Sequence, residues 1–239
     1  MPDARVEQDI EAYARDVQTA LGDQLLCVAV YGSAAGDDWV TGRSDVNTAV
    51  VVERVTTGAL EALAPIVTRF RARGFALPLI VDRNFFQRAG DVFPMELDDI
   101  RRRHRVLAGT DVLATGEPDR AALRRECERE ARSKLLRLRA HFLETADVPE
   151  ALERLMLDSL KSFLVLLRHF LRLRGSATAY TYGEVLAAGE AALGPLPVMS
   201  QLFALRTGAV PAASSMRARF GAYLGEVERL VAALDALDA

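Results

Sequence analysis

Only two cysteines, one tryptophan, three histidines and two lysines occur among 239 residues. Cys27 and Cys127 lie far apart, and neither has a C-x-x-C or H-x-x-x-H neighbour, so neither a zinc site nor a disulfide framework is suggested. Both read as buried thiols. The longest uninterrupted apolar run, Leu25 to Tyr31, has seven residues, against the roughly 20 that a membrane-spanning helix needs. No membrane partner is expected. The first residues are acidic and polar, unlike a signal or transit peptide, which makes a cytoplasmic location the expectation. A formal net charge of −3 argues against a protein that coats nucleic acid.

What is present, 50% hydrophobic and 26% charged residues, suffices for one large core or two modest ones. Before Pro118, periodicity predicts helices over Ala4 to Leu21 and Leu60 to Arg73. It predicts strands over Leu25 to Tyr31, Val46 to Val52, Leu77 to Val81 and Phe93 to Ile100. After Pro118 the strand signal vanishes and four helices are expected: Ala121 to Glu144, Pro149 to Leu173, Tyr182 to Ala192 and Met216 to Leu237. The second of these is apolar on most of its surface, as a helix central to a bundle would be. Asp147 with Glu150, and Thr181 with Glu184, have capping-box spacing; Gly175 is placed to end a helix; Val210 to Ser215 reads as a loop. The fold class expected is therefore α+β, a mixed sheet with flanking helices over 1–117 followed by an all-α helical bundle over 118–239.

One segment carries chemistry. The strand ending Val30-Tyr31 runs into Gly32-Ser33, eleven residues intervene, and Asp45-Val46-Asn47 opens the next strand. A Gly-Ser pair at a strand end lets backbone N–H groups and a hydroxyl close on phosphate oxygens. Alternation puts residues 45 and 47 on one face, where acidic groups could hold a divalent metal against those phosphates.

This pattern resembles the signature of the DNA polymerase β-type nucleotidyltransferase superfamily, Gly-Ser followed by Asp-x-Asp. The stretch Asp91 to Asp98 resembles the strand that bears the third carboxylate in aminoglycoside adenylyltransferase-like proteins, which also carry a helical second domain. The resemblance implies that Gly32 and Ser33, extended by Arg43 and Ser44, bind nucleotide phosphates. It also implies that Asp45 and Glu96 are the catalytic carboxylates, and that Asp45, Asn47 and Glu96 ligate Mg2+ or Mn2+. The substrate implied is ATP or another nucleoside triphosphate, and the reaction is transfer of a nucleoside monophosphate, AMP by the same resemblance, to a hydroxyl acceptor in the interdomain cleft.

Asn47 departs from the pattern. Where the superfamily has a second aspartate, the amide offers one neutral carbonyl oxygen, so metal affinity should fall. The alternative is therefore a catalytically impaired module for nucleotide sensing or partner binding. Asp37, Asp38 and Asp98 are candidate replacements for the missing charge, and the run Arg101-Arg102-Arg103-His104-Arg105 is either a phosphate-steering patch or a solvated face.

Overall fold

The computed structural model describes residues 2–42, 44–116, 118–176, 181–206 and 216–237, and the chain divides into two compact units, Met1–Asp119 and Arg120–Ala239. In the first unit the order is α1 (Ala4–Leu21), β1 (Leu25–Tyr31), β2 (Asn47–Val52), α2 (Thr57–Arg71), β3 (Leu79–Asp82), α3 (Phe85–Arg88), α4 (Pro94–Arg102) and β4 (His104–Gly109). The four strands form one mixed sheet ordered β3-β2-β1-β4. β1 runs antiparallel to both neighbours, and β2 is parallel to β3.

Strand alternation divides the core in two. Val28, Val30, Val50 and Val52 face α1 and α2, meeting Ile10, Tyr13, Val17, Leu63 and Phe70. Cys27, Ala29, Ala49 and Val51 face the other way, onto Phe86, Leu97, Ile100 and Leu113. A two-sided core of this kind explains why β1 reads as a continuous apolar run rather than an alternating one. Burial pushes the Cys27 thiol up to about 11, and both cysteines are buried thiols outside any disulfide.

Two expectations fail here. Phe93 to Ile100 is not a strand; Pro94 opens α4 at its first position, with Glu96 in the first turn. Proline's fixed φ suits that position, and a carboxylate is favoured by the unpaired N–H groups of a helix start. The apparent alternation of Phe93, Met95 and Leu97 hid a helix that buries Leu97 and Ile100 at a spacing of three. The fourth strand instead begins inside the arginine run.

In the second unit, α5 (Arg120–Thr145), α6 (Pro149–Leu173), α7 (Tyr182–Leu193), α8 (Pro197–Arg206) and α9 (Met216–Asp235) are all helical. α6 contacts each of the other four. Its buried side chains include Met156, Leu160, Phe163, Leu167 and Phe170, and burying a residue of this size is worth about 1.5–3 kcal/mol. α6 ends in a Schellman motif in which Gly175 N–H donates to the Arg172 carbonyl and Ser176 N–H to that of Leu171, 2.9 Å each. The Thr181–Glu184 capping box forms in both directions. The one expected at Asp147 does not: Val148 is the cap residue, Pro149 takes the first helical position, and Asp147 pairs with Arg217 instead. α8 was not anticipated, and Val210 to Ser215 lies outside the described residues. Among the described residues no helix is long and apolar enough to cross a membrane.

Candidate active site

The site is the end of the sheet where β1 stops and β2 begins. Helix α2 ends in a second Schellman motif: Gly74 N–H donates to the Arg71 carbonyl and Phe75 N–H to that of Phe70, 3.2 Å each. The Phe70 and Phe75 rings close the motif with centroids 5.1 Å apart. The same turn fixes the entry to β2, because Val46 N–H donates to the Gly74 carbonyl and Val46 accepts from Ala76 N–H, 3.0 Å each. Val46 is thereby buried on the α1/α2 side, and alternation sends Asp45 and Asn47 to the opposite face.

On that face the antiparallel registers place Asn47 opposite Tyr31 and Tyr31 opposite His104. Directly opposed residues of antiparallel strands share a face, so the three form one row across the sheet. Gly32 follows Tyr31 with φ of +71°, a conformation that disfavours any side chain, and a Cβ placed there would lie 3.5 Å from Asn47 Nδ2. The Gly-Ser turn and the Asn47 side chain are therefore immediate neighbours. Gly32 N–H donates to the Arg103 carbonyl at 3.2 Å, and Gly36 N–H to that of Ser33 at 3.2 Å.

Glu96 reaches this neighbourhood from above rather than from an adjacent strand. It stands exposed on the first turn of α4, close enough that, after burial, its charge is the next factor raising the Tyr31 phenol. Tyr31 is consequently a neutral hydrogen-bond donor beside a carboxylate. On the neighbouring strand, the chain running past Asn47 between the Val46–Phe75 bridge and the Ala49–Leu79 pair is Ala76-Leu77-Pro78. No carboxylate stands there. The expectation that Asp98 shares a strand face with Glu96 is likewise corrected, since Asp98 is a buried residue of α4 paired to Arg102 at 2.7 Å.

Asp45 is exposed and Asn47 half-buried. Ser44, expected at the nucleotide, closes its own loop: its Oγ accepts from Val40 N–H at 3.0 Å, and its N–H donates to the Val40 carbonyl at 2.9 Å. Arg43 lies outside the described residues. The arginine run does not act as one patch, because the chain passes there from helix to strand and its side chains diverge: Arg102 and Arg105 are exposed, as in a solvated face, while Arg103 is turned inward. Arg102 turns to Asp98, Arg103 to Asp38 and Arg105 to Glu7, each at 2.7 Å. Asp38 is thus engaged, while Asp37 is exposed. His104 Nδ1 lies 2.8 Å from the Ile100 carbonyl and Nε2 3.1 Å from both Asp111 oxygens. Both partners are hydrogen-bond acceptors. Tyr31 had no role in the sequence reading, and Arg103 and His104 entered it only as members of the arginine run; the signal for Tyr31 was its position one residue before Gly32, and the places of the other two emerge only from the course of the chain into β4.

No family model matches the chain, and no curated protein does. Among solved structures, the chain is similar to spectinomycin adenyltransferase AAD(9) from Enterococcus faecialis, determined with ATP and spectinomycin. The two share 12% sequence identity, and the match covers 93% of this chain and 99% of that one with a TM-score of 0.58. The two chains share their fold. At this identity the likeness extends to architecture, a four-stranded mixed sheet with flanking helices followed by a helical unit, the class expected from the sequence.

Proposed function

We propose that this chain binds a nucleoside triphosphate, ATP first among them, at the Gly32-Ser33 turn and transfers its monophosphate to a hydroxyl-bearing acceptor. The nucleotide chemistry is assigned to residues 1–117, and residues 118–239 are assigned to the acceptor side. The observation that carries the reading is the approach of two elements to one turn: Asn47 beside Gly32, and Glu96 beside Tyr31. The adenylyltransferase architecture supports it.

The donors available, carboxylates of Asp45 and Glu96 and the amide oxygen of Asn47, are hard oxygen ligands of the kind Mg2+ and Mn2+ prefer. Two negative charges match one divalent ion better than two. When bound, that ion would neutralise charge on the triphosphate. The residues of the chain do the rest by positioning. The Ser33 N–H and hydroxyl of the Gly32-Ser33 turn hold phosphate oxygens, and Glu96 accepts the proton of the acceptor hydroxyl as its oxygen bonds to the α-phosphorus. The bond from that phosphorus to the bridging oxygen breaks, and pyrophosphate leaves. The raised Tyr31 phenol remains a donor through this exchange.

The test is binding of labelled ATP with Mg2+ or Mn2+, and pyrophosphate release against a panel of hydroxyl acceptors, in wild type and Asp45→Ala. Because Asp45 is exposed, its removal should shift stability by no more than about 0.5 kcal/mol while eliminating metal-dependent nucleotide binding. A wild-type chain that binds no nucleotide overturns the reading.

A second reading, nucleotide binding without transfer, is favoured by Asn47 and by the absence of an acid in Ala76-Leu77-Pro78. Binding of ATP in wild type with no turnover on any acceptor would support it.

A further inference from the structure

The loop after the Gly-Ser turn is held at both ends by a single residue. Arg103, the residue between α4 and β4, accepts from Gly32 N–H through its backbone carbonyl at 3.2 Å. Its side chain runs back beneath the loop, where a Cβ on Gly36 would overlap the guanidinium. The far end of that guanidinium meets Asp38, with Nη1 2.7 Å from Oδ2 and the two side chains only 12% and 8% exposed. A Cβ at Gly36 would have to push that guanidinium aside, while the backbone itself, with φ of −161°, would admit any residue. A largely buried charge pair is costly to assemble and costlier still to leave half-made, so this contact ties Asp38 firmly to the residue that leads into β4.

Building on the nucleotide reading above, we propose that Arg103 is a positioning residue for the triphosphate: its side chain clamps the Gly36-to-Asp38 part of the loop, and so holds the shape in which the Gly32-Ser33 turn meets phosphate. Without it the loop loses the guanidinium that lies against Gly36 and ties down Asp38. Lysine is no equivalent, because a point charge on a flexible stem cannot fill the space under Gly36 as a planar fork does.

The experiment uses the full chain with Mg2+-ATP as the probe, comparing wild type, Arg103→Ala, Asp38→Ala, Asp38→Asn, Arg103→Ala/Asp38→Ala and Asp45→Ala. Three readouts are taken: the dissociation constant for ATP, the thermal midpoint, and hydrogen exchange at the Gly32 and Gly36 amides. Arg103→Ala should weaken ATP binding by about tenfold or more and should speed exchange at the Gly36 amide, while Gly32, whose partner is the main-chain carbonyl of residue 103, serves as the reference. Asp38→Asn, which keeps an acceptor for Arg103 but loses the opposing charge, should lower the thermal midpoint yet weaken ATP binding less than Arg103→Ala. The double variant should be no weaker than Arg103→Ala alone, because the two residues act as one unit. Unchanged exchange in Arg103→Ala overturns the clamp. Faster exchange with unchanged ATP affinity, while Asp45→Ala abolishes binding, overturns the positioning role and leaves the nucleotide reading standing. Failure of wild type itself to bind Mg2+-ATP overturns the nucleotide reading and this proposal with it.

Discussion

The two units use buried polarity in opposite ways. In the helical unit, Glu226 is 2% exposed, and both of its oxygens are consumed by the chain itself, accepting from Val198 and Met199 N–H at 2.8 Å each. It caps the otherwise unpaired start of α8. Nearby, Tyr223 and Ser159 share a hydrogen bond of 2.9 Å, and Arg229 donates to the Pro195 carbonyl at 2.6 Å. In the sheet unit the buried pair Arg103–Asp38 is also internal, yet Asp45, Glu96 and the Gly-Ser turn stand open beside it. Polar groups that answer each other hold structure. Polar groups gathered on one face and left open are available to a ligand.

The sharpest way to break that comparison is to remove Glu226. Glu226→Ala strands two buried N–H groups and should cost about 2–4 kcal/mol in urea unfolding, whereas the open carboxylate of Asp45 should be nearly dispensable for stability. Burial pushes the Glu226 carboxyl above its ordinary 4.5. A raised folded value means its contribution is complete below pH 4.5 and declines as pH rises through that value, so the gap between wild type and Glu226→Ala should narrow on that ascent. A gap that widened would show that Glu226 is stabilised as an anion.

Next in size is Asn47→Asp, which adds a charge beside the phosphate turn. Metal binding should tighten, and any adenylylation should rise by about tenfold, the equivalent of 1.36 kcal/mol, read from pyrophosphate release at fixed Mg2+. No gain would mean that asparagine does not limit the site. Thr181→Ala removes one half of the α7 capping box and should lower stability by about 1 kcal/mol without touching ATP affinity. The smallest effect is expected at Asp111. Partial burial pushes its carboxyl up, but the His104 hydrogen bond and charge, with the Ala114 and Leu113 N–H groups, outweigh it and hold it below 3.8. Stability from a depressed carboxyl is present above that value and lost as pH falls through the folded one. The difference in urea midpoint between wild type and Asp111→Asn should therefore shrink on acidification below pH 3.8.

Elements whose burial matches their period were legible in the sequence: α1, β1 and α6 lie where the apolar pattern puts them, because each presents a continuous face to one core. β4 was not legible, since Arg105 points to Glu7 on α1 and a paired charge inside a strand mimics a surface run. α4 was misread because a proline and three alternating apolar residues fit two periods over so short a span. Within the site, the adjacency of Gly32 and Asn47 could be foreseen from strand-turn-strand order. The delivery of Glu96 by a helix and the course of Arg103 beneath Gly36 could not, since both depend on long-range packing that no local pattern encodes.

The bridge between Val46 and Phe75 also sets where this sequence can change length. Residues inserted between Thr41 and Gly42, both exposed and beyond the Arg103–Asp38 contact, lie upstream of the pin and would enlarge the loop while leaving Asp45 and Asn47 aimed as before. One residue inserted between Val46 and Ala49 would invert the strand from that point and exchange its two faces. Recombination or library design can therefore treat the first stretch as free to drift in length and the second as a fixed reading frame, with the helix stop at Gly74 acting as its punctuation mark.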